Sequence, residues 1–132
     1  MACPVHIAIY DVYDERDPNH WAIFIGTGSN GVILQVGDDK GGVGYFVEEP
    51  IYNKEPQRSA KHKESILVGT ISSADLDTVV SDIISHPVDN TSTTWNCQAW
   101  AMEALDAEEE YGLFQWDKEG KEKVQKKRQM WQ

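Results

Sequence analysis

The hydrophobic period of the chain changes once, near Ser72, from the two-residue repeat of strands to the wider spacing of helices. Before that point, residues 5–10 alternate and run into a turn-rich stretch at 11–19. Residues 21–26, Trp-Ala-Ile-Phe-Ile-Gly, form a short and nearly continuous apolar run that suits a strand buried on both faces. The Asn30-Gly31 pair is a strong hairpin signal, so residues 32–36 are expected to return antiparallel. Residues 38–42 make a further turn, residues 44–48 a third meander strand, and residues 65–71 another strand. Residues 50–63 are polar, contain Pro56, and are expected as a surface loop. After the change, Ser72 or Ser73 offers an N-cap, and Leu76, Val79, Val80, Ile83 and Ile84 fall at helical spacing until Pro87 ends the helix. Strands first and helices after predict an α+β fold, an antiparallel β-meander sheet packed against helices.

The chain has 132 residues, the size of one domain, and 40% of them are hydrophobic, enough to supply a core. That domain is expected over residues 1–115, with a basic C-terminal helix or tail at 116–132. Twenty-two acidic against twelve basic residues give a formal charge of -10, which repels phosphate backbones and anionic membrane surfaces. Nucleic acid is therefore not an expected partner. The exception is the tail, where Lys118, Lys121, Lys123, Lys126, Lys127 and Arg128 form a solvated helix face. No basic leader precedes the first strand and no run reaches the length of a membrane span, so a soluble, cytoplasmic protein is expected. Two cysteines, Cys3 and Cys97, do not make a disulfide framework.

Cys97 opens the second helix, with either Thr94 or Asn96 as its cap. It shares the stripe Trp100, Ala101, Ala104 and Leu105, which faces the sheet. A helix N-terminus stabilises a thiolate, so this placement is expected to lower the thiol pKa, and the same N–H groups could hold an oxyanion. The plain alternative is a buried structural cysteine. Cys3 has no helix behind it and is expected to be structural or incidental.

A base must reach such a thiol. His6 alternates within the first strand, His62 lies in the Lys-rich loop, and His86 precedes Pro87 at a helix end. His20 differs: it opens the apolar strand directly after the turn Asp17-Pro18-Asn19, where a polar residue can face a helix start and still meet solvent. Gln35, the lone polar residue of 32–36, is the candidate to orient His20, with Asp38 as the alternative.

A histidine that opens a core strand, followed downstream by Asn96-Cys97-Gln98 at a helix start, resembles the circularly permuted NlpC-like branch of the papain-like fold. Lecithin retinol acyltransferase-like enzymes and the PPPDE isopeptidases belong to it. The resemblance covers roughly residues 4–110 and rests on two short motifs, His20-Trp21-Ala22-Ile23-Phe24 and Asn96-Cys97-Gln98-Ala99-Trp100. It implies Cys97 as nucleophile, His20 as base and Gln35 at the third polar position. Acyltransferases of this kind carry a second histidine there, so the match is inexact. Tyr10 or Asp11 falls near a substrate-gating or oxyanion-side position, and Trp21 and Trp95 stand close to the site. The acyltransferases also carry a C-terminal membrane helix that residues 116–132 do not provide, which disfavours phospholipid or retinyl ester substrates.

Together these residues imply acyl transfer through a thioester, on a peptide, isopeptide or small-molecule acyl substrate. The other reading is a non-catalytic binding module whose groove is lined by tryptophans. No cofactor is expected. His20 and Cys97 with an Asp could bind zinc, but no Cys-x-x-Cys or His-x-x-x-His spacing supports a metal site. Gly41-Gly42-Val43-Gly44 lacks a Lys and opens a strand, so it is a turn rather than a phosphate loop.

Overall fold

The computed structural model describes residues 1–28, 31–40 and 42–131. The strands are β1 (Ala2–Tyr10), β2 (His20–Gly26), β3 (Gly31–Leu34), β4 (Val36–Asp38), β5 (Tyr45–Val47), β6 (Ile51–Tyr52), β7 (His62–Ser72) and β8 (Phe114–Trp116). The helices are α1 (Leu76–Ile84), α2 (Cys97–Glu110) and α3 (Lys118–Lys126). The architecture is α+β, as the single change of period requires.

Six strands form one sheet in the order β6-β3-β2-β1-β7-β8, each described pair antiparallel. β1, β2 and β3 are the expected meander; Ser29 and Asn30 of its turn lie outside the described residues, but Gly26 pairs with Gly31 across it. Residues 32–36 are not one strand. β3 ends at Leu34, and the chain leaves the sheet at Gln35, whose carbonyl accepts from Glu48 N at 3.0 Å. β4 and β5 then pair only with each other, so residues 44–48 are not a third strand of the meander. Residues 50–63 are not simply a loop: they contain β6, a 3₁₀ turn at Pro56–Arg58 and the start of β7.

Alternation in the strands builds the core. Val5, Ile7 and Ile9 from β1, Trp21, Ile23 and Ile25 from β2, and Val32 and Leu34 from β3 are all buried in one cluster with Val79 and Ile83 of α1 and Trp100, Ala101 and Leu105 of α2. Burying a side chain of this size stabilises the fold by about 1.5–3 kcal/mol. Ser72 caps the turn before α1, its Oγ accepting from Ala74 N at 3.3 Å. α2 lies against β2 and α1. Cys3 is buried within the same cluster, the structural place expected for it.

The tail packs on the domain. β8, three residues that alternation could not reveal, straddles residue 115 and pairs with β7. Asp117 caps α3, its carboxylate accepting from Gly120 N at 2.9 Å. α3 lies on β7 through Gly120 and Val124, both buried, while its lysines remain largely on the outer face. The approach at Gly120 is so close that a Cβ there would overlap the Leu67 carbonyl oxygen. Among the described residues, no helix is long and apolar enough to cross a membrane.

Candidate active site

Asn96, not Thr94, caps α2. Its extended backbone turns the Oδ1 onto the N–H groups of Gln98 (3.0 Å) and Ala99 (3.1 Å). This leaves Cys97 at the first helical position, with the predicted stripe of Trp100, Ala101, Ala104 and Leu105 buried behind it. Because β3 stops at Leu34, opposite Ile23, the Trp21 N–H has no strand partner on that side and donates to Cys97 Sγ at 3.4 Å. The thiol in turn donates to the Asn19 carbonyl at 3.7 Å.

His20 and Cys97 line one cleft of about 240 Å³, together with Asp38, Tyr45, Glu48 and Trp131. The break at Gln35 turns its amide toward the histidine, and Gln35 Oε1 lies 2.6 Å from His20 Nε2. A carbonyl oxygen only accepts, so Nε2 carries the proton of the neutral ring and Nδ1 keeps its lone pair. No hydrogen bond joins His20 to Cys97 among the described residues.

Both groups are neutral at rest. Burial pushes the Cys97 thiol up to about 11, against the pull of the Trp21, Gln98 and Cys97 N–H groups, and the Asp38 carboxylate adds to the rise. The expected lowering by the helix start is overturned. A helix terminus is worth about 0.3–1 kcal/mol, whereas full burial shifts a titrating group by as much as about 3–5 pH units. Burial likewise holds the His20 imidazolium below its ordinary value, opposed by Gln35 and by the Glu48 carboxylate.

Asp38 does not orient His20. Its carboxylate accepts from the N–H groups of Lys40, Gly42 and Gly44 and so holds the turn into β5. Tyr10 pairs with His20 in register, ring centroids 5.4 Å apart, and lines a separate groove of about 650 Å³ with Asp11, His20 and Gln35. That groove does not include Cys97; His20 stands between the two. Its rim carries Lys54, Arg58 and Lys61 against Asp11 and Glu55, a local reversal of the acidic surface. Trp21 is fully buried and gives the site its backbone N–H, not its ring. Trp95 is buried too, its indole donating to Glu103 and its face closed by Tyr45 at 5.2 Å. Neither residue lines the Cys97 cleft and both rings are buried, so neither offers the substrate surface expected of it.

Sequence reasoning missed the residues that surround Cys97 most closely. Gln98 is fully buried; its Nε2 donates to Asn19 O at 3.0 Å and to Gln129 Oε1 at 3.1 Å, and its Oε1 accepts from Gln129 N at 2.7 Å. Asn96 Nδ2 donates to Gln129 O at 2.8 Å, and Asn19 N to Gln129 Oε1 at 2.9 Å. Trp131 follows, its indole donating to Tyr45 Oη at 2.6 Å. The available signal was Gln98 itself, a lone amide in the otherwise apolar run 97–102. Among the described residues, no group of three or more His, Cys, Asp or Glu side chains is placed to hold a metal ion.

The fold and this geometry define an α+β domain with a cysteine at a buried helix start and a histidine on the same cleft. The chain belongs to a family of unknown function (DUF6540), which matches residues 5–115. Neither a curated protein nor a solved structure matches it. The matched span contains Asn19, His20, Gln35, Asn96, Cys97 and Gln98 and ends before α3.

Proposed function

We propose that the protein is a cysteine-dependent hydrolase or acyltransferase on a circularly permuted papain-like fold, acting on an amide, isopeptide or ester bond. The observation that carries this reading is that Cys97 and His20 line one cleft while Gln35 holds His20 Nε2 and leaves Nδ1 free to act as base. Once the thiol leaves the Asn19 carbonyl, His20 Nδ1 takes its proton and Sγ bonds to the substrate carbonyl carbon. Asn96 Oδ1 already occupies the Gln98 and Ala99 N–H groups, so the oxyanion falls to the Cys97 N–H, joined by that of Trp21 once its bond to the resting Sγ is released. Collapse breaks the carbon–nitrogen or carbon–oxygen bond, and His20 returns the proton to the leaving group. Water or a second nucleophile then resolves the thioester. This chemistry suits a reducing compartment such as the cytoplasm, where both free thiols persist.

The second reading, a non-catalytic binding module, is favoured by one observation: the resting thiol bonds Asn19 O rather than His20. An activated ester separates the two. With p-nitrophenyl acetate, Gln129→Ala, which removes the side-chain contacts to Asn19 and Gln98, should acetylate Cys97 and release nitrophenol repeatedly, and the wild-type chain should do so more slowly. Adding His20→Ala to the Gln129→Ala chain should slow it by a factor on the order of 100, the share of a positioned base. Acetylation absent from Cys97 in both chains, or turnover indifferent to His20, would leave the binding module as the account.

A further inference from the structure

Gln129 is held as a bound peptide residue is held. Its N–H and its C=O are both read by side chains, Gln98 Oε1 at 2.7 Å and Asn96 Nδ2 at 2.8 Å, from the two residues that flank Cys97. Its own amide oxygen accepts from Asn19 N and Gln98 Nε2. With Gln129 in place Gln98 and Asn96 are 0% and 1% exposed, so the bonds they make to it are shielded from water, and lifting the segment would strip both amides of those partners and open them to solvent. The clamp residues fall inside the family match at 5–115, whereas Gln129 falls outside it. Two residues on, Trp131 lines the Cys97 cleft and lies against the turn at Gly42.

We propose that Asn19, Asn96 and Gln98 form a peptide-binding subsite beside Cys97, which takes a residue bearing a side-chain amide with an aromatic residue two positions later, and that Gln129 and Trp131 fill it in cis. That such a peptide is also a substrate rests on the acyl-transfer reading above; that it binds does not. Filled, the clamp pins Asn19, whose carbonyl holds the thiol proton, and Trp131 forms part of the cleft wall. A short tether presents its occupant at an effective concentration on the order of millimolar, so a peptide in trans registers only when the cis residues are weakened.

The test uses the full chain carrying Gln129→Pro and Trp131→Ala, which removes the N–H donor and the indole, and reads iodoacetamide labelling of Cys97 by mass spectrometry near pH 8.5. Labelling should accelerate roughly tenfold or more over wild type, the scale set by losing one such buried contact. The pentapeptide Lys-Arg-Gln-Met-Trp added in trans should restore the wild-type rate, and the same peptide with Ala for Gln should not. Unchanged labelling in the loosened chain, faster labelling that the peptide does not reverse, or equal protection by both peptides would each overturn the subsite. Gln129→Ala alone, which keeps the backbone contacts, repeats the measurement if the double variant does not fold. Peptide protection without ester turnover would refute the enzyme and keep the subsite; turnover without protection would do the reverse.

Discussion

A cysteine at a helix start is ordinarily drawn toward its thiolate, and Cys97 departs from that pattern because of what covers it. Asn96 takes the N–H groups of the first turn, Asn19 takes the thiol proton, and burial holds the sulfur neutral. The resting protein should therefore alkylate slowly at neutral pH, with a rate still rising beyond about pH 10, as a thiol pushed up to about 11 requires. His20→Ala should leave that resting profile nearly unchanged. A plateau below about pH 8 that disappears in His20→Ala would instead reveal a preformed thiolate–imidazolium pair. Cys97, His20 and Gln35 were legible in the sequence because helical phase and strand alternation are local properties. Asn19 and Gln129 were not, since only the folded chain brings together residues 110 positions apart.

The elements show the same division. β1, β2, α1 and α2 follow from periodicity and caps, whereas β6 and β8 are too short to show a period and exist only through a neighbour. The break at Gln35 was hidden because its apolar neighbours continue the strand pattern on both sides. Between α1 and α2 lies a feature that periodicity passed over: Glu108, on the buried side of α2, has both oxygens buried without a donor and faces Asp82. A proton held on Glu108 gives one of them a hydrogen bond with Asp82. Burial first, then Asp82, pushes the Glu108 carboxyl up to about 8 from its ordinary 4.5. His86 and Tyr111 border the same recess. A folded value above the unfolded one means that the stability from the protonated form is whole below about pH 4.5 and lost as pH rises through about 8. Glu108→Gln should flatten the dependence of Tm on pH across that window and melt above wild type at about pH 8. A variant that melts lower there would show that the ionised carboxylate is favourably bound.

For the protein as a unit, early and late segments of the chain meet at one place. The N-terminal strands supply Asn19 and His20, and the segment after α3 supplies Gln129 and Trp131. α3 is thus the support of the site, although none of its residues lines the Cys97 cleft. Gly120→Ala should test this, because the added methyl has no room above Leu67 and Val68. Overpacking of this kind costs about 1–3 kcal/mol. The α3 amides should then exchange faster, and Cys97 should label faster, with the β1–β3 amides unchanged. Faster exchange in α3 without any change at Cys97 would separate the helix from the site.

The contact of Gly120 with β7 also sets a ruler. With the helix fixed there, the number of residues up to Gln129 decides where that glutamine emerges, since each helical residue advances about 1.5 Å and turns the chain by roughly 100°. One residue more or fewer in α3 would carry Gln129 out of register with Asn96 and Gln98 while leaving every side chain around Cys97 as it is. The length of α3 alone, without any change in the pocket, would then decide whether Gln129 reaches the clamp proposed for it.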